Sequence, residues 1–113
     1  IVNVSSINGR IPMHNQSIYG ITKAALISMT QAFAKELGRD KIRVNALLPG
    51  LTDTKFASKL TQNKEMMKDV LQQIPLGRIA QPSEMSGMVL FLVSDAASYV
   101  TGSTFTVDGG VLA

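Results

Sequence analysis

Residues 42–50 read IRVNALLPG. Ile42, Val44, Ala46, Leu47 and Leu48 form a short aliphatic run with the character of a strand. Pro49 and Gly50 stop it, since proline cannot donate to a ladder and glycine weakens one. Immediately upstream, GRDK (38–41) makes a turn. Before that turn Ile18, Ile21, Ala25, Met29, Ala32 and Phe33 recur at steps of three and four. That period predicts a helix over 16–37 with an apolar stripe facing the core, and Gly38 is placed to end it. Further upstream Gly9 and Pro12 break the loop SSINGR, and Ile1–Val4 read as a buried strand.

Downstream of Gly50 the stretch 51–77 is polar and helix-prone, closed by Pro75 and Gly77, and is read as one or two short helices. Residues 82–94, PSEMSGMVLFLVS, form another helix, with Pro82 at its start and Ser83 or Glu84 in its first turn. A turn-rich connection leads to STFTVDGG, a last strand ended by Asp108, Gly109 and Gly110. The order is β-α-β-αα-α-β. Such alternation implies an α/β fold whose parallel strands are joined by right-handed crossovers, half of a doubly wound sheet. Ligands of such sheets sit outside the carboxyl ends of the strands. That rule selects SSING (5–9), PGLTDT (49–54) and DGG (108–110), together with the start of the long helix.

The 113 residues fit one domain, and 45% hydrophobic content supports a packed core. The absence of cysteine excludes disulfides and thiolate metal sites and is compatible with a reducing cytoplasm, the default location. His14 is the sole histidine, which argues against a transition-metal centre. Net charge is +3, yet the basic residues are scattered. Only Arg39, Lys41 and Arg43 crowd together, and Asp40 interrupts them. With 5% aromatics there is no platform for stacking bases, so nucleic acid ranks last among partners. No apolar run reaches the ~20 residues of a membrane span. IVNVSS lacks the features of a signal peptide. It opens on strand-like residues without an initiator Met, so an upstream half of the domain is expected.

At the start of the long helix Tyr19 and Lys23 stand four residues apart, hence on one face. An ordinary phenol, with a pKa of about 10, is a poor base at neutral pH. A neighbouring ammonium favours its ionised form. Ser6, from the preceding strand end, offers a hydroxyl to hold a carbonyl or alcohol oxygen near the phenol. The bland alternative is a packed tyrosine beside a surface lysine, with Ser6 satisfying a backbone group.

The ordered set NVSS…YGITK, IRVNALLPGLTDT and YVTGSTFTVDGG closely resembles the Ser…Tyr-x-x-x-Lys, VN…PG…T and TG…DGG segments of the short-chain dehydrogenase/reductase family. The resemblance covers essentially the whole chain and is nearest to 3-oxoacyl-carrier-protein reductase-like and general carbonyl-reductase members. It implies the C-terminal half of a Rossmann-type domain over 1–113, with the N-terminal cofactor-binding half absent. It implies an NAD(P)(H) cofactor, with NADP favoured by family analogy alone, and a small carbonyl or secondary alcohol as substrate. Tyr19 would be the proton donor in reduction. Lys23 would bind nicotinamide ribose hydroxyls and make the phenol easier to ionise. Ser6 would orient the substrate oxygen, in preference to Ser5, which lies one residue too far from Tyr19. Pro49, Gly50, Thr52 and Thr54 match the segment that wraps the nicotinamide carboxamide and pyrophosphate, and 53–75 matches the variable substrate-binding loop and its helices. The family's glycine-rich phosphate turn, its NNAG strand and its relay Asn have no counterpart in these 113 residues.

Other residues have simpler readings. Asn45 is expected to be a structural hydrogen-bonder, His14 a solvated loop residue, and Met66, Met67, Met85 and Met88 core or lid packing. Thr101 and Gly102 are turn formers, and Asp108 caps backbone donors. In the family, surfaces matching helices 16–37 and 82–94 pair subunits, which implies a homodimer or homotetramer. The alternative to an enzyme is therefore a catalytically incompetent module that only oligomerises through those helices.

Overall fold

The computed structural model describes residues 1–58 and 62–113. Three parallel strands, β1 (Val2–Val4), β2 (Asn45–Pro49) and β3 (Thr104–Val107), form one sheet in the order β1-β2-β3. β2 is central, with Val4 opposite Leu47 on one side and Leu47 opposite Phe105 on the other. Successive strand side chains point to opposite faces. Asn45, Ala46, Leu47 and Leu48 are all buried, so both faces of β2 are covered. Ala46 and Leu48 pack with Ile7, Ile27, Val111 and Leu112 on one face. On the other, Phe91 meets Phe105 edge to face at 6.2 Å.

Helix α1 (Ser17–Leu37) supplies Ile27 to the first face, and α3 (Ser86–Val93) supplies Phe91 to the second. α1 begins one residue later than the periodicity predicts. Gly38 does not end it in a left-handed turn. Its φ is −61°, a 3-10 turn follows, and the left-handed residue is Lys41 at φ 59°. The helix read over 82–94 is a 3-10 turn, Pro82–Met85, running into α3. Between β2 and α3 lies α2 (Lys64–Gln72), which begins where the Asn63 side chain accepts from the Met66 amide at 3.1 Å. The expectation of a further short helix upstream of α2 extends over 59–61, outside the described residues.

The face of α1 turned toward the sheet is the reverse of the one its apolar period suggests. Its buried residues are Gly20, Thr30 and Ala34, whereas Ile18 and Ile21 are 74% and 64% exposed. Small residues allow the helix to approach the sheet closely, and Thr30 is satisfied there. Its hydroxyl donates to the Leu26 carbonyl at 2.8 Å and accepts from Asn3 at 2.9 Å. Of the four methionines expected to be core or lid packing, Met66 is exposed, and Met67, Met85 and Met88 are half-buried.

Polar side chains fix the connection into β3. The buried Asn45 amide donates to the Val100 carbonyl at 2.8 Å and accepts from the Ser103 amide at 3.1 Å, the structural role expected of it. Thr101 accepts from the Val44 amide at 3.0 Å. The Arg43 guanidinium donates to the carbonyls of Leu92 and Ser94 at the end of α3, at 2.8 and 3.2 Å.

Candidate active site

β1 runs directly into the turn that meets α1. Ser5 and Ser6 follow Val4, and Ile7–Gly9 form a 3-10 turn. Ser6 caps that turn, its hydroxyl oxygen accepting from the Asn8 amide at 3.2 Å. Two glycines let the turn lie against the helix. A Cβ on Gly9 would stand 2.8 Å from the Lys23 carbonyl carbon, and one on Gly20 would stand 3.1 Å from the Asn8 oxygen. The buried Ser5 hydroxyl pins the same junction, donating to the Lys23 carbonyl at 2.7 Å. Asn8 adds a bond from its side-chain amide to Gln16. The turn that Ser6 caps is thereby seated on the first two turns of α1, which carry Tyr19 and Lys23.

The Lys23 ammonium donates to the Val4 carbonyl at 3.0 Å and lies 5.5 Å from the centroid of the Tyr19 ring. An ammonium has three donors. The bond to Val4 anchors it at the carboxyl edge of the sheet and leaves two for other acceptors. Tyr19 is half-buried.

Pro49 and Gly50 lie at the carboxyl end of β2. The Gly50 amide donates to Val107 at 2.9 Å, and a Cβ on Gly50 would stand 2.7 Å from the Asp108 Cα. Glycine is therefore what lets the PG and DGG loops run side by side. Thr52 donates its hydroxyl to the Gly50 carbonyl at 3.1 Å, and the Thr54 hydroxyl accepts from the Ala57 amide at 3.3 Å. Both hydroxyls thus hold the shape of their own loop. Thr52 pairs with Ala80 in a parallel bridge, flanked by bonds from Asp53 to Ala80 at 2.8 Å and from Ala80 to Leu51 at 3.0 Å. The excursion that matches the expected substrate loop, 53–75, is therefore pinned at its base by this bridge, and its far end meets the DGG loop, where Ile74 is buried and the Leu76 amide donates to the Gly109 carbonyl at 3.1 Å.

Within that excursion Phe56 lies with its ring centroid 5.8 Å from that of Tyr19, the planes 30° apart. Sequence reasoning passed over this residue. Its one local signal is an aromatic side chain in a polar stretch of a chain with four phenylalanines. Asp108 accepts from the amides of Gly110 and Leu112, each at 2.9 Å, which is the capping role expected of it. His14 is exposed on the loop between Ser6 and Tyr19.

Away from this junction Arg78 and Glu84 form a two-pronged ion pair at 2.7 and 2.8 Å. The hydrogen bond from Arg78, and next the Gln81 amide, bring the Glu84 carboxyl down to about 2, and the same pairing raises the Arg78 guanidinium. The pair flanks a cavity of about 70 Å³ also lined by Leu51, Leu76, Ala80 and Val107; Ser6, Tyr19 and Lys23 do not line it. Among the described residues no cluster of three His, Asp or Glu is arranged to hold a metal ion, and no helix is long and apolar enough to cross a membrane.

Residues 1–112 match the family model described as enoyl-(acyl carrier protein) reductase. The chain is 44% identical over 112 residues to the 3-oxoacyl-[acyl-carrier-protein] reductase FabG of Thermotoga maritima, covering 99% of this chain and 45% of that protein. It is 42% identical over 111 residues to a tropinone reductase homolog of Arabidopsis thaliana, covering 98% of this chain and 36% of that one. It therefore spans less than half the length of these curated relatives. Among solved structures, 4-hydroxyisoleucine dehydrogenase complexed with NADH superimposes with a TM-score of 0.95 at 33% identity, over 99% of this chain and 46% of its own. A gluconate 5-dehydrogenase from Burkholderia cenocepacia in complex with NADP and tartrate superimposes with a TM-score of 0.96 at 30% identity, over 98% and 44%. The parallel sheet and the match over residues 1–112 agree: the chain belongs to the short-chain dehydrogenase/reductase family of Rossmann-fold oxidoreductases.

Proposed function

We propose that this chain carries the substrate-side and nicotinamide-side residues of an NAD(P)-dependent oxidoreductase acting on a carbonyl or secondary alcohol. Relatives solved with NADH and with NADP support a nicotinamide cofactor. The donor set fits one: an ammonium anchored at the sheet edge with two N–H groups to spare suits the vicinal hydroxyls of a ribose. Lys23 and the backbone of Pro49–Thr54 are the residues that would hold it. When bound, the nicotinamide supplies the hydride in reduction and accepts it in oxidation.

In the direction of reduction, Ser6 donates a hydrogen bond to the substrate oxygen and fixes it beside the Tyr19 hydroxyl. Tyr19 gives its proton to that oxygen as the carbonyl becomes an alcohol. The Lys23 charge opposes the negative charge left on the phenol oxygen, which solvent then reprotonates. In oxidation the same groups run the proton in reverse. The observation that carries this reading is the placement of the Lys23 ammonium, tied to Val4 and 5.5 Å from the Tyr19 ring. We infer that the glycine-rich phosphate turn is supplied by sequence upstream of residue 1. In the protein that includes it, Tyr19→Phe should lower kcat/KM for ketone reduction by about 10²–10⁴-fold while the far-ultraviolet circular dichroism is kept. Turnover equal to wild type would sink the reading.

A second reading rests on the exposed apolar faces. Ile18 and Ile21 on α1, and Leu90 and Val93 at 66% and 61% exposure on α3, form surfaces a monomer seldom leaves bare. They suit pairing with further copies as a homodimer or homotetramer, or a module that associates without chemistry. Sedimentation across a concentration series tests this, with Ile21→Glu and Val93→Glu shifting the assembly toward monomer.

A further inference from the structure

Phe56 is 83% exposed, yet its ring has a neighbour, and that neighbour is Tyr19. The fold makes little use of so large an apolar side chain in water. It is nevertheless held in place. The Ala57 amide donates to both the Thr54 carbonyl, at 3.0 Å, and the Thr54 hydroxyl, at 3.3 Å, and the Ser58 amide donates to the Lys55 carbonyl. This turn begins two residues after the Thr52–Ala80 bridge, so its base is fixed to the body of the sheet. An aromatic ring is thus presented beside the candidate acid by a pinned turn, with most of its surface uncovered.

We propose that Phe56 is a specificity-determining residue whose free face forms an apolar wall for the substituent beside the reacting carbonyl. The inference rests on the proposed role of Tyr19. A substrate whose oxygen is hydrogen-bonded to Tyr19 brings its neighbouring carbons within reach of a ring centred 5.8 Å from the tyrosine ring. Phenyl carries no donor, no acceptor and no charge, so it takes no part in proton or hydride transfer. What it offers is dispersion and offset stacking, which favour planar or hydrocarbon substituents. Ketones with an aryl or alkyl-chain group beside the carbonyl are the class this wall selects over small polar ones. Because the contact is made before and during the chemical step alike, it acts on KM rather than on kcat.

The test compares propiophenone with 2-butanone in the protein that carries the glycine-rich turn, at saturating NADPH or NADH. Phe56→Ala should raise KM for propiophenone about tenfold more than for 2-butanone, with kcat for propiophenone kept within about threefold. Phe56→Leu, which restores an apolar side chain, should recover part of that discrimination. An equal change for both ketones, an unchanged ratio, a loss confined to kcat, or a wild type that turns over neither ketone would overturn the inference. Tyr19→Phe in the same assay separates the two levels. An inactive Tyr19→Phe beside an unchanged ratio in Phe56→Ala defeats the wall alone. An active Tyr19→Phe defeats the catalytic reading beneath it.

Discussion

The Lys23 ammonium lies over the Tyr19 ring, 5.5 Å from its centroid, while donating to the Val4 carbonyl at 3.0 Å. The cation is therefore held by the strand and not by the helix that bears it. Removing it takes away a charge, a donor and the tie between α1 and β1 together. Lys23→Met should lower kcat/KM for ketone reduction by about 10²-fold or more and raise the cofactor KM. Lys23→Arg should restore little, because a planar guanidinium cannot replace a compact ammonium in this geometry. Steady-state kinetics with the cofactor varied distinguishes these outcomes, and equal activity in Lys23→Met would contradict them.

Ser5 and Ser6 are neighbours with different tasks. The Ser5 hydroxyl is committed to the Lys23 carbonyl at 2.7 Å, whereas the Ser6 oxygen accepts from Asn8 and keeps its own proton to donate. Ser5→Ala should destabilise the fold by about 1 kcal/mol with kcat/KM largely retained. Ser6→Ala should cost activity chiefly, at a smaller loss of stability. Urea denaturation and ketone-reduction kinetics on the two variants provide the check. The assignment fails if the two serines exchange these effects.

The strand–helix alternation was legible because β2 carries Ala46, Leu47 and Leu48 in a row and is buried on both faces. The inner face of α1 was not. Close packing against the sheet there uses Gly20, Thr30 and Ala34, while larger apolar side chains such as Ile18 and Ile21 point outward, so hydrophobic period alone selects the wrong side. The end of α1 fell at Leu37 with Gly38 as its cap, as the sequence suggested, though the cap is not left-handed. Glycine permits a left-handed turn without requiring one, and Lys41 adopts it instead. At the site, the spacing of Ser6, Tyr19 and Lys23 was readable from the chain. Gly9 read only as a breaker, although its missing Cβ is what seats the turn on Lys23. Phe56 was invisible because its partner lies 37 positions away, and no local pattern reports such a contact.

Asn45 is buried between the Ser103 amide and the Val100 carbonyl and bonds both with its side chain; the carbonyl also accepts from Arg43 at 3.4 Å. Asn45→Leu keeps much of the volume but strands the Ser103 amide, leaves the Val100 carbonyl only its long bond from Arg43, and places a branched side chain against the turn. An unsatisfied buried group costs about 1–3 kcal/mol and a weakened one less, so a loss of about 1–4 kcal/mol is expected. Asn45→Asp should be the milder change at the Ser103 side, since a carboxylate oxygen still accepts there while the donor to Val100 is gone. Thermal or urea unfolding measures both, and a Leu variant within 0.5 kcal/mol of wild type, roughly the scatter for surface changes, would contradict the role.

The Arg78–Glu84 pair gives a pH dependence with a definite sign. The Glu84 carboxyl is lowered from 4.5 to about 2, first by its hydrogen bond with Arg78 and then by the Gln81 amide. A carboxyl lowered in the folded state contributes stability that is fully present above its unfolded value and fades as pH falls through the folded one. The window is therefore between about 4.5 and about 2, and nothing should change between pH 6 and 8 on this account. Glu84→Gln should be less stable than wild type above pH 5, with the difference shrinking as the pH falls toward 2. The pair is exposed, so salt should also reduce the difference. Amide exchange at Gln81, whose N–H donates to Glu84 at 2.8 Å, gives a local readout that global unfolding does not obscure. Protection there should drop in Glu84→Gln at neutral pH and converge with wild type in acid. Protection that is unaltered at neutral pH, or a gap that widens in acid, would mean that this pair does not hold the entry to α3.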